Sequence, residues 1–136
     1  MPKTTLITGG ARSGKSRFAE ELAVKSGEPV LFVATAAPGD EEMRQRIEEH
    51  QKARPATWRT LEVTAHIGSQ ILKEAGEVQT VIVDCITLLV SNIITQYSDQ
   101  RLQHDAARIE QEVVDEIKGL IDCTVQVQAN FIIVTN

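Results

Sequence analysis

The chain has 136 residues, and 42% of them are hydrophobic, which is enough to build the packed core of one compact domain. Its formal net charge of −5 argues against a general nucleic-acid binder or a binder of anionic membranes, because such partners select a basic surface. No apolar stretch approaches the roughly 18 residues that span a bilayer, and the N-terminal apolar run is too short for a signal peptide, so we expect a cytoplasmic protein.

From the N-terminus, short β-type runs alternate with helical patterns. The predicted elements are a strand over 4–8, a helix over 15–26, a strand over 29–35, a helix over 40–52, a strand over 58–63, a helix over 65–75, a strand over 80–85, a helix over 86–96, a helix over 102–121 and a strand over 130–135. Three of the runs are almost continuously apolar, which is typical of parallel strands covered on both faces. The alternation predicts an α/β fold of three layers, with a mostly parallel sheet and helices on both faces.

The longest predicted helix has the clearest pattern. Its apolar residues recur every three or four positions, which places them on one helix face. They are Leu102, Ala106, Ile109, Val113, Ile117 and Leu120.

The segment GGARSGKS separates the first predicted strand from the first predicted helix. It matches the P-loop pattern G-x-x-x-x-G-K-[ST], with Gly9, Gly14, Lys15 and Ser16 at the defining positions. In such a loop the backbone N–H groups and the helix N-terminus bind phosphate oxygens, the lysine reaches the outer phosphates, and the serine hydroxyl binds Mg²⁺. The pattern predicts a magnesium-nucleotide site; the alternative is a glycine-rich turn without a ligand.

Asp84 ends the apolar run VIVD and is the candidate for the second magnesium ligand. A P-loop protein commonly supplies such a carboxylate from the end of a neighbouring hydrophobic strand. The alternative interpretation makes Asp84 the N-cap of the helix that begins near Ile86, and that role is compatible with the metal role.

The segment RIEEHQKARPATWRTLE carries a candidate nucleophile. Met43, Ile47 and His50 are spaced i, i+4, i+7, so the histidine shares a helix face with two apolar residues. A hydrogen-bonded packing histidine is the alternative interpretation. Lys52 and Arg54 form a basic cluster that could hold a second set of phosphates.

The combination of TGGARSGKSRFAE, VATA, RIEEHQKARPATWRTLE and VDCITLLVSN resembles one enzyme family. This is the family of bifunctional adenosylcobinamide kinases and adenosylcobinamide-phosphate guanylyltransferases of cobalamin synthesis. The match runs along nearly the whole chain, and its specificity comes from Arg12 inside the P-loop and from the order RI-x-x-H, RP, WRT-x-E. The resemblance implies a single P-loop NTPase-type domain over residues 1–136 that lacks the family's C-terminal strands, and a homotrimer.

The same resemblance implies two reactions at one nucleotide site. The terminal phosphoryl of ATP or GTP passes to a hydroxyl of adenosylcobinamide; GTP then gives GMP to an enzyme histidine, and adenosylcobinamide phosphate displaces it. A neutral imidazole is a competent nucleophile near pH 7. The family pattern assigns catalysis to His50 and Lys15 and Mg²⁺ to Ser16 and Asp84. It assigns nucleotide contacts to Gly9, Gly10, Ala11, Arg12, Ser13, Gly14, Lys15, Ser16, Ala34, Thr35, Ala36, Gln51, Lys52, Ala53, Arg54, Glu62 and Asp84.

Two other function classes remain open at this point. A plain P-loop kinase of small metabolites would use Gly14, Lys15, Ser16 and Asp84 without a covalent intermediate. A non-catalytic nucleotide-binding module would need only the phosphate loop. The plain kinase would leave His50 replaceable.

The remaining candidate residues match no site pattern. Cys85 and Cys123 lack the spacing of a disulfide framework or a zinc site, so we expect both to be buried apolar residues. We expect His66 and His104 at the surface. For Trp58, core packing is favoured over stacking on a bound ring.

Overall fold

The computed structural model describes residues 2–10, 13–36, 41–98 and 106–135, and within these ranges it leaves out the side chains of Met43, His50, Tyr97 and Ser98. The elements in chain order are β1 (Thr4–Thr8), α1 (Lys15–Ser26), β2 (Val30–Ala34), α2 (Glu41–Ala53), β3 (Arg59–Glu62), α3 (Ile67–Glu74), β4 (Thr80–Asp84), α4 (Ile86–Ser98), α5 (Ala106–Gln126) and β5 (Asn130–Thr135). The predicted α/β order of elements is therefore confirmed.

The five described strands form one parallel sheet in the order β1-β5-β4-β2-β3. Asp84, the last residue of β4, pairs with Ala34 of β2 on one side and with Val134 of β5 on the other. The carboxyl ends of these strands consequently meet at one edge of the sheet, where parallel α/β folds place their ligand loops.

Both faces of the sheet are covered, as the three-layer prediction requires. Successive strand residues point to opposite faces. On one face, residues such as Val81 and Phe131 pack against α3, α4 and α5. On the other face, residues such as Phe32 and Ile82 pack against α1 and against Trp58, which is buried as predicted.

The bounds of α3 and α5 differ from the predicted ones. α3 begins two residues later than predicted, because His66 adopts a left-handed φ of 57° and interrupts the helical backbone before Ile67. α5 continues five residues past the predicted end at Ile121, since its buried face extends to Cys123. The predicted start of that helix, Leu102, lies outside the described residues, and Ala106 is exposed rather than on the buried face.

A close contact joins α3 to α5. A Cβ placed on Gly68 would lie 2.4 Å from the carbonyl oxygen of Gly119, so the two helix backbones touch at a point that a side chain would block. The Glu116 carboxylate accepts hydrogen bonds from the backbone N–H groups of His66 (3.0 Å) and Ile67 (2.7 Å). A side chain of α5 therefore satisfies two backbone donors at the start of α3.

No helix within the described ranges has both the length and the apolarity that a membrane crossing needs.

Candidate active site

The glycine-rich loop connects β1 to α1 in a conformation suited to phosphate. Gly14 has a left-handed φ of 83° and is the N-cap residue of α1, and as a glycine it offers the first N–H groups of the helix no side-chain cap. Lys15 donates from Nζ to the carbonyl oxygen of Gly10 at 2.9 Å, so its charge lies over the loop. Uncapped N–H groups and a nearby ammonium together favour an anion at this helix end. Ala11 and Arg12, predicted nucleotide contacts, lie outside the described residues.

Ser16 and Asp84 come together from opposite sides of this loop. The Ser16 hydroxyl donates a hydrogen bond of 2.8 Å to Oδ2 of Asp84, across 68 positions of sequence. Both residues are half-buried. The pairing brings together the two residues that sequence reasoning selected as magnesium ligands.

Asp84 lies two residues before the first residue of α4, one position further from the helix than an N-cap residue. α4 begins at Ile86, so the residue directly before it is Cys85. Burial raises the pKa of the Cys85 thiol, and the backbone N–H groups of Leu88 and Thr87 act in the opposite direction. Cys85 and Cys123 are both buried, as predicted.

A cavity of about 220 Å³ opens beside Ser16 and Asp84. Arg54 forms part of its wall, and the side chain of this residue is 8% exposed. The guanidinium carbon lies 3.4 Å from the centre of the Phe32 ring, and Nε lies 3.5 Å from a carboxylate oxygen of Glu20. Burial lowers the pKa of Arg54, while the negative charges of Glu20 and Asp84 raise it. Nε has no hydrogen-bond partner of good geometry among the described residues.

A second cavity, of about 390 Å³, adjoins the first at Ile47. Gln51 and Glu62, both predicted nucleotide contacts, line it together with Arg44, Ile47 and Glu48. Ile47 lines both cavities, so the surface of α2 connects the phosphate loop to this second space.

The other predicted site residues lie as follows. Ala34 and Ala36 line the first cavity, whereas Thr35 between them is fully buried. Lys52 and Ala53 are exposed. His50 belongs to α2, but its side chain lies outside the described part of the structure. His66 is exposed, and His104 also falls outside the described residues.

Sequence reasoning missed Glu20 and Phe32. Both line the first cavity and hold Arg54. Phe32 lies in a strand whose residues are all apolar, and Glu20 looks like any other carboxylate on a helix surface. The local sequence around either residue therefore gives no indication of a site.

Comparison with known proteins gives consistent matches. A family model described as "Cobinamide kinase / cobinamide phosphate guanyltransferase" matches residues 5–136. The bifunctional adenosylcobalamin biosynthesis protein CobP of Pseudomonas aeruginosa is 41% identical over 131 residues, which cover 96% of this chain and 69% of the relative. The proteins named CobU of Escherichia coli and Salmonella typhimurium are each 38% identical over 133 residues, with 96% of this chain and 73% of each relative covered.

Proposed function

The chain belongs to the family of cobinamide kinases and cobinamide phosphate guanyltransferases, and we propose that it phosphorylates adenosylcobinamide and then transfers GMP to the product. The observation that carries this proposal is the 2.8 Å contact between Ser16 of the phosphate loop and Asp84 at the end of β4. These residues form the phosphate and metal end of a nucleotide site, and Arg54 adds a positive charge to the cavity beside them.

In the kinase step, the substrate hydroxyl oxygen attacks the terminal phosphorus of ATP or GTP. The bond from that phosphorus to the bridging oxygen breaks, the nucleoside diphosphate leaves, and the hydroxyl proton is released. Lys15 and the first N–H groups of α1 stabilise the negative charge that spreads over the transferred group. The loop thus contributes through position and charge rather than through a covalent bond.

The pair Ser16 and Asp84 fits a magnesium ion. Mg²⁺ prefers oxygen ligands and is commonly held by one or two protein oxygens together with substrate phosphates. A hydroxyl and a carboxylate at hydrogen-bond distance supply such oxygens. No cluster of three or more His, Cys, Asp or Glu side chains that could hold a metal occurs in the part of the chain that the structure describes. When bound, Mg²⁺ would neutralise charge on the phosphates.

In the guanylyl step, we assign the nucleophile to His50. An imidazole nitrogen attacks the α-phosphorus of GTP, and pyrophosphate leaves. A phosphate oxygen of adenosylcobinamide phosphate then attacks the same phosphorus, and the imidazole leaves as adenosylcobinamide-GDP forms. With two successive displacements, one site can react first with the donor GTP and then with the acceptor adenosylcobinamide phosphate. Gln51 and Glu62, which share the second cavity, would contact the guanosine part.

The test of this assignment is covalent labelling. The protein is incubated with Mg²⁺ and GTP labelled at the α-phosphate, then denatured, and the retained label is examined for acid lability and base stability. The expected result is a phosphoramidate-type label in the unaltered chain and in His66→Ala, which removes an exposed histidine, and no label in His50→Ala.

Two results would contradict the assignment. A label that persists in His50→Ala would exclude this histidine. Absence of label from a folded chain that binds GTP and phosphorylates the substrate would leave a plain P-loop kinase.

The homotrimer that the family resemblance implies is also a proposal. Light scattering coupled to size-exclusion chromatography measures the oligomeric state.

A further inference from the structure

Thr35 follows β2 directly and is fully buried. Each of its polar groups already has a partner inside the protein. Its N–H donates to the carbonyl oxygen of Asp84 at 3.1 Å, and its hydroxyl donates to the carbonyl oxygen of Cys85 at 2.7 Å. Its own carbonyl oxygen accepts a hydrogen bond of 2.8 Å from Nδ2 of Asn92. Thr35 therefore makes its polar contacts within the fold.

Three hydrogen bonds of Thr35 go to Asp84, the candidate metal ligand, and to Cys85 directly after it. The hydroxyl also accepts a hydrogen bond of 2.8 Å from the backbone N–H of Cys85, so Thr35 bonds both polar atoms of the peptide group that follows Asp84. With the backbone on the carboxyl side of Asp84 held in this way, its side chain can meet Ser16 at 2.8 Å.

Asn92 ties this arrangement to a third element. From α4 its amide donates to Thr35 and, at 3.4 Å, to the carbonyl oxygen of Thr64 just beyond β3. The ends of β2, β3 and β4 are thereby linked by two side chains. The two hydrogen bonds of the Thr35 hydroxyl are buried, and buried hydrogen bonds hold a site in a defined geometry because leaving a member unpaired is costly.

We propose that Thr35 is a positioning residue for Asp84, and that its hydroxyl sets how strongly the site couples nucleotide binding to Mg²⁺. This inference rests on the magnesium-nucleotide site of the proposed function. Thr35 thus differs from a nucleotide contact: its effect passes through the Asp84 backbone to the carboxylate. Residues that orient a metal ligand typically change metal affinity by roughly 10- to 100-fold when they are replaced.

The chain contains a matched control at the other end of β4. Thr80 is also fully buried, and its hydroxyl donates to the carbonyl oxygen of Gly27 at 2.8 Å. Thr35→Val and Thr80→Val each remove one buried hydroxyl while keeping the β-branched shape, but only the first removes a contact to the Asp84–Cys85 peptide group. Thr35→Ser keeps the hydroxyl and serves as the rescue variant.

The experiment measures binding of GDP by calorimetry, once with Mg²⁺ and once with a chelator. GDP is chosen because it lacks the γ-phosphoryl group that the kinase step transfers. The ratio of the two affinities reports how much Mg²⁺ strengthens the binding of GDP. We expect this ratio to fall about tenfold in Thr35→Val, and to stay near that of the unaltered chain in Thr80→Val and Thr35→Ser.

Other outcomes overturn the inference. If the affinity ratio is unchanged in folded Thr35→Val, or falls equally in Thr80→Val, then Thr35 has only a general packing role. If Thr35→Val does not fold, Asn92→Ala takes its place, and an unchanged ratio there counts against the inference. A ratio of one in the unaltered chain would instead contradict the proposed metal site, and the inference with it.

Discussion

The guanidinium of Arg54 lies over the ring of Phe32, with 3.4 Å between the guanidinium carbon and the ring centre. The aromatic face and the Glu20 carboxylate hold this cation at the wall of the cavity that contains Ser16 and Asp84. Although burial lowers its pKa, an arginine stays charged near neutral pH because its ordinary pKa is so high. The cavity thus carries a permanent positive charge in a preset position.

Replacing Arg54 by lysine tests that geometry. A lysine keeps the charge but lacks the planar group that stacks on the ring and the forked donors that match phosphate oxygens. We expect Arg54→Lys to weaken binding of GDP in the presence of Mg²⁺ by about tenfold while the chain stays folded. Arg17→Lys is the control, since Arg17 is largely exposed and pairs with Glu21 on the surface. Equal affinities for the two variants would argue against a role for the stacked geometry.

Glu20 and its neighbour Glu21 allow a comparison of two ion pairs on one helix. Glu20 faces buried Arg54, whereas Glu21 pairs with exposed Arg17 at 3.7 Å. Glu20→Gln should lower the free energy of unfolding by about 1–3 kcal/mol, because it leaves a buried cation without its nearest carboxylate. Glu21→Gln should change it by less than about 0.5 kcal/mol. Urea denaturation measures both, and similar losses would show that the Arg54 pair contributes no more than a surface pair.

Gly68 and Gly119 should respond in opposite directions to the same added methyl group. Gly68→Ala places a Cβ 2.4 Å from the Gly119 carbonyl oxygen, a backbone atom that cannot turn aside, so we expect a loss of about 2 kcal/mol or more. A Cβ on Gly119 meets no atom within 4 Å, and alanine favours the helix, so Gly119→Ala should gain about 0.5–1 kcal/mol. Thermal denaturation distinguishes the two signs, and a tolerated Gly68→Ala would mean that α3 can move away from α5.

The buried thiol of Cys123 should make stability depend on alkaline pH. Burial raises the pKa of Cys123 to about 11 from an ordinary value of 9.0. Because the folded chain keeps this proton while the unfolded chain loses it, the free energy of unfolding is unaffected by this group below pH 9 and falls as the pH rises toward 11. Urea denaturation across this range should show a smaller decline for Cys123→Ala than for the unaltered chain. If the free energies of unfolding of the two chains fell in parallel as the pH rises, the prediction would be contradicted.

Most of the fold could be predicted from the sequence, because strand and helix periodicities are local. The bounds of α1, β1 and β5 agree with the prediction, and a βαβ alternation admits few topologies other than a parallel sheet. The bounds of β2, β3 and β4 differ from the predicted ones by one residue at one or both ends, and the larger errors lie at helix ends. The start of α3 depends on a carboxylate of α5, Glu116, which no window of sequence around His66 contains.

The sequence by itself determined the phosphate loop and its partner carboxylate, since Lys15, Ser16 and Asp84 belong to short patterns whose backbone geometry is local. Only the tertiary structure decided that Arg54 stacks on Phe32 and that the hydroxyl of Thr35 bonds to Cys85. The reason is physical: such contacts depend on strand register and on how helices pack across the sheet. Those relations are set by side chains distant in sequence, so the local pattern around each residue does not contain them.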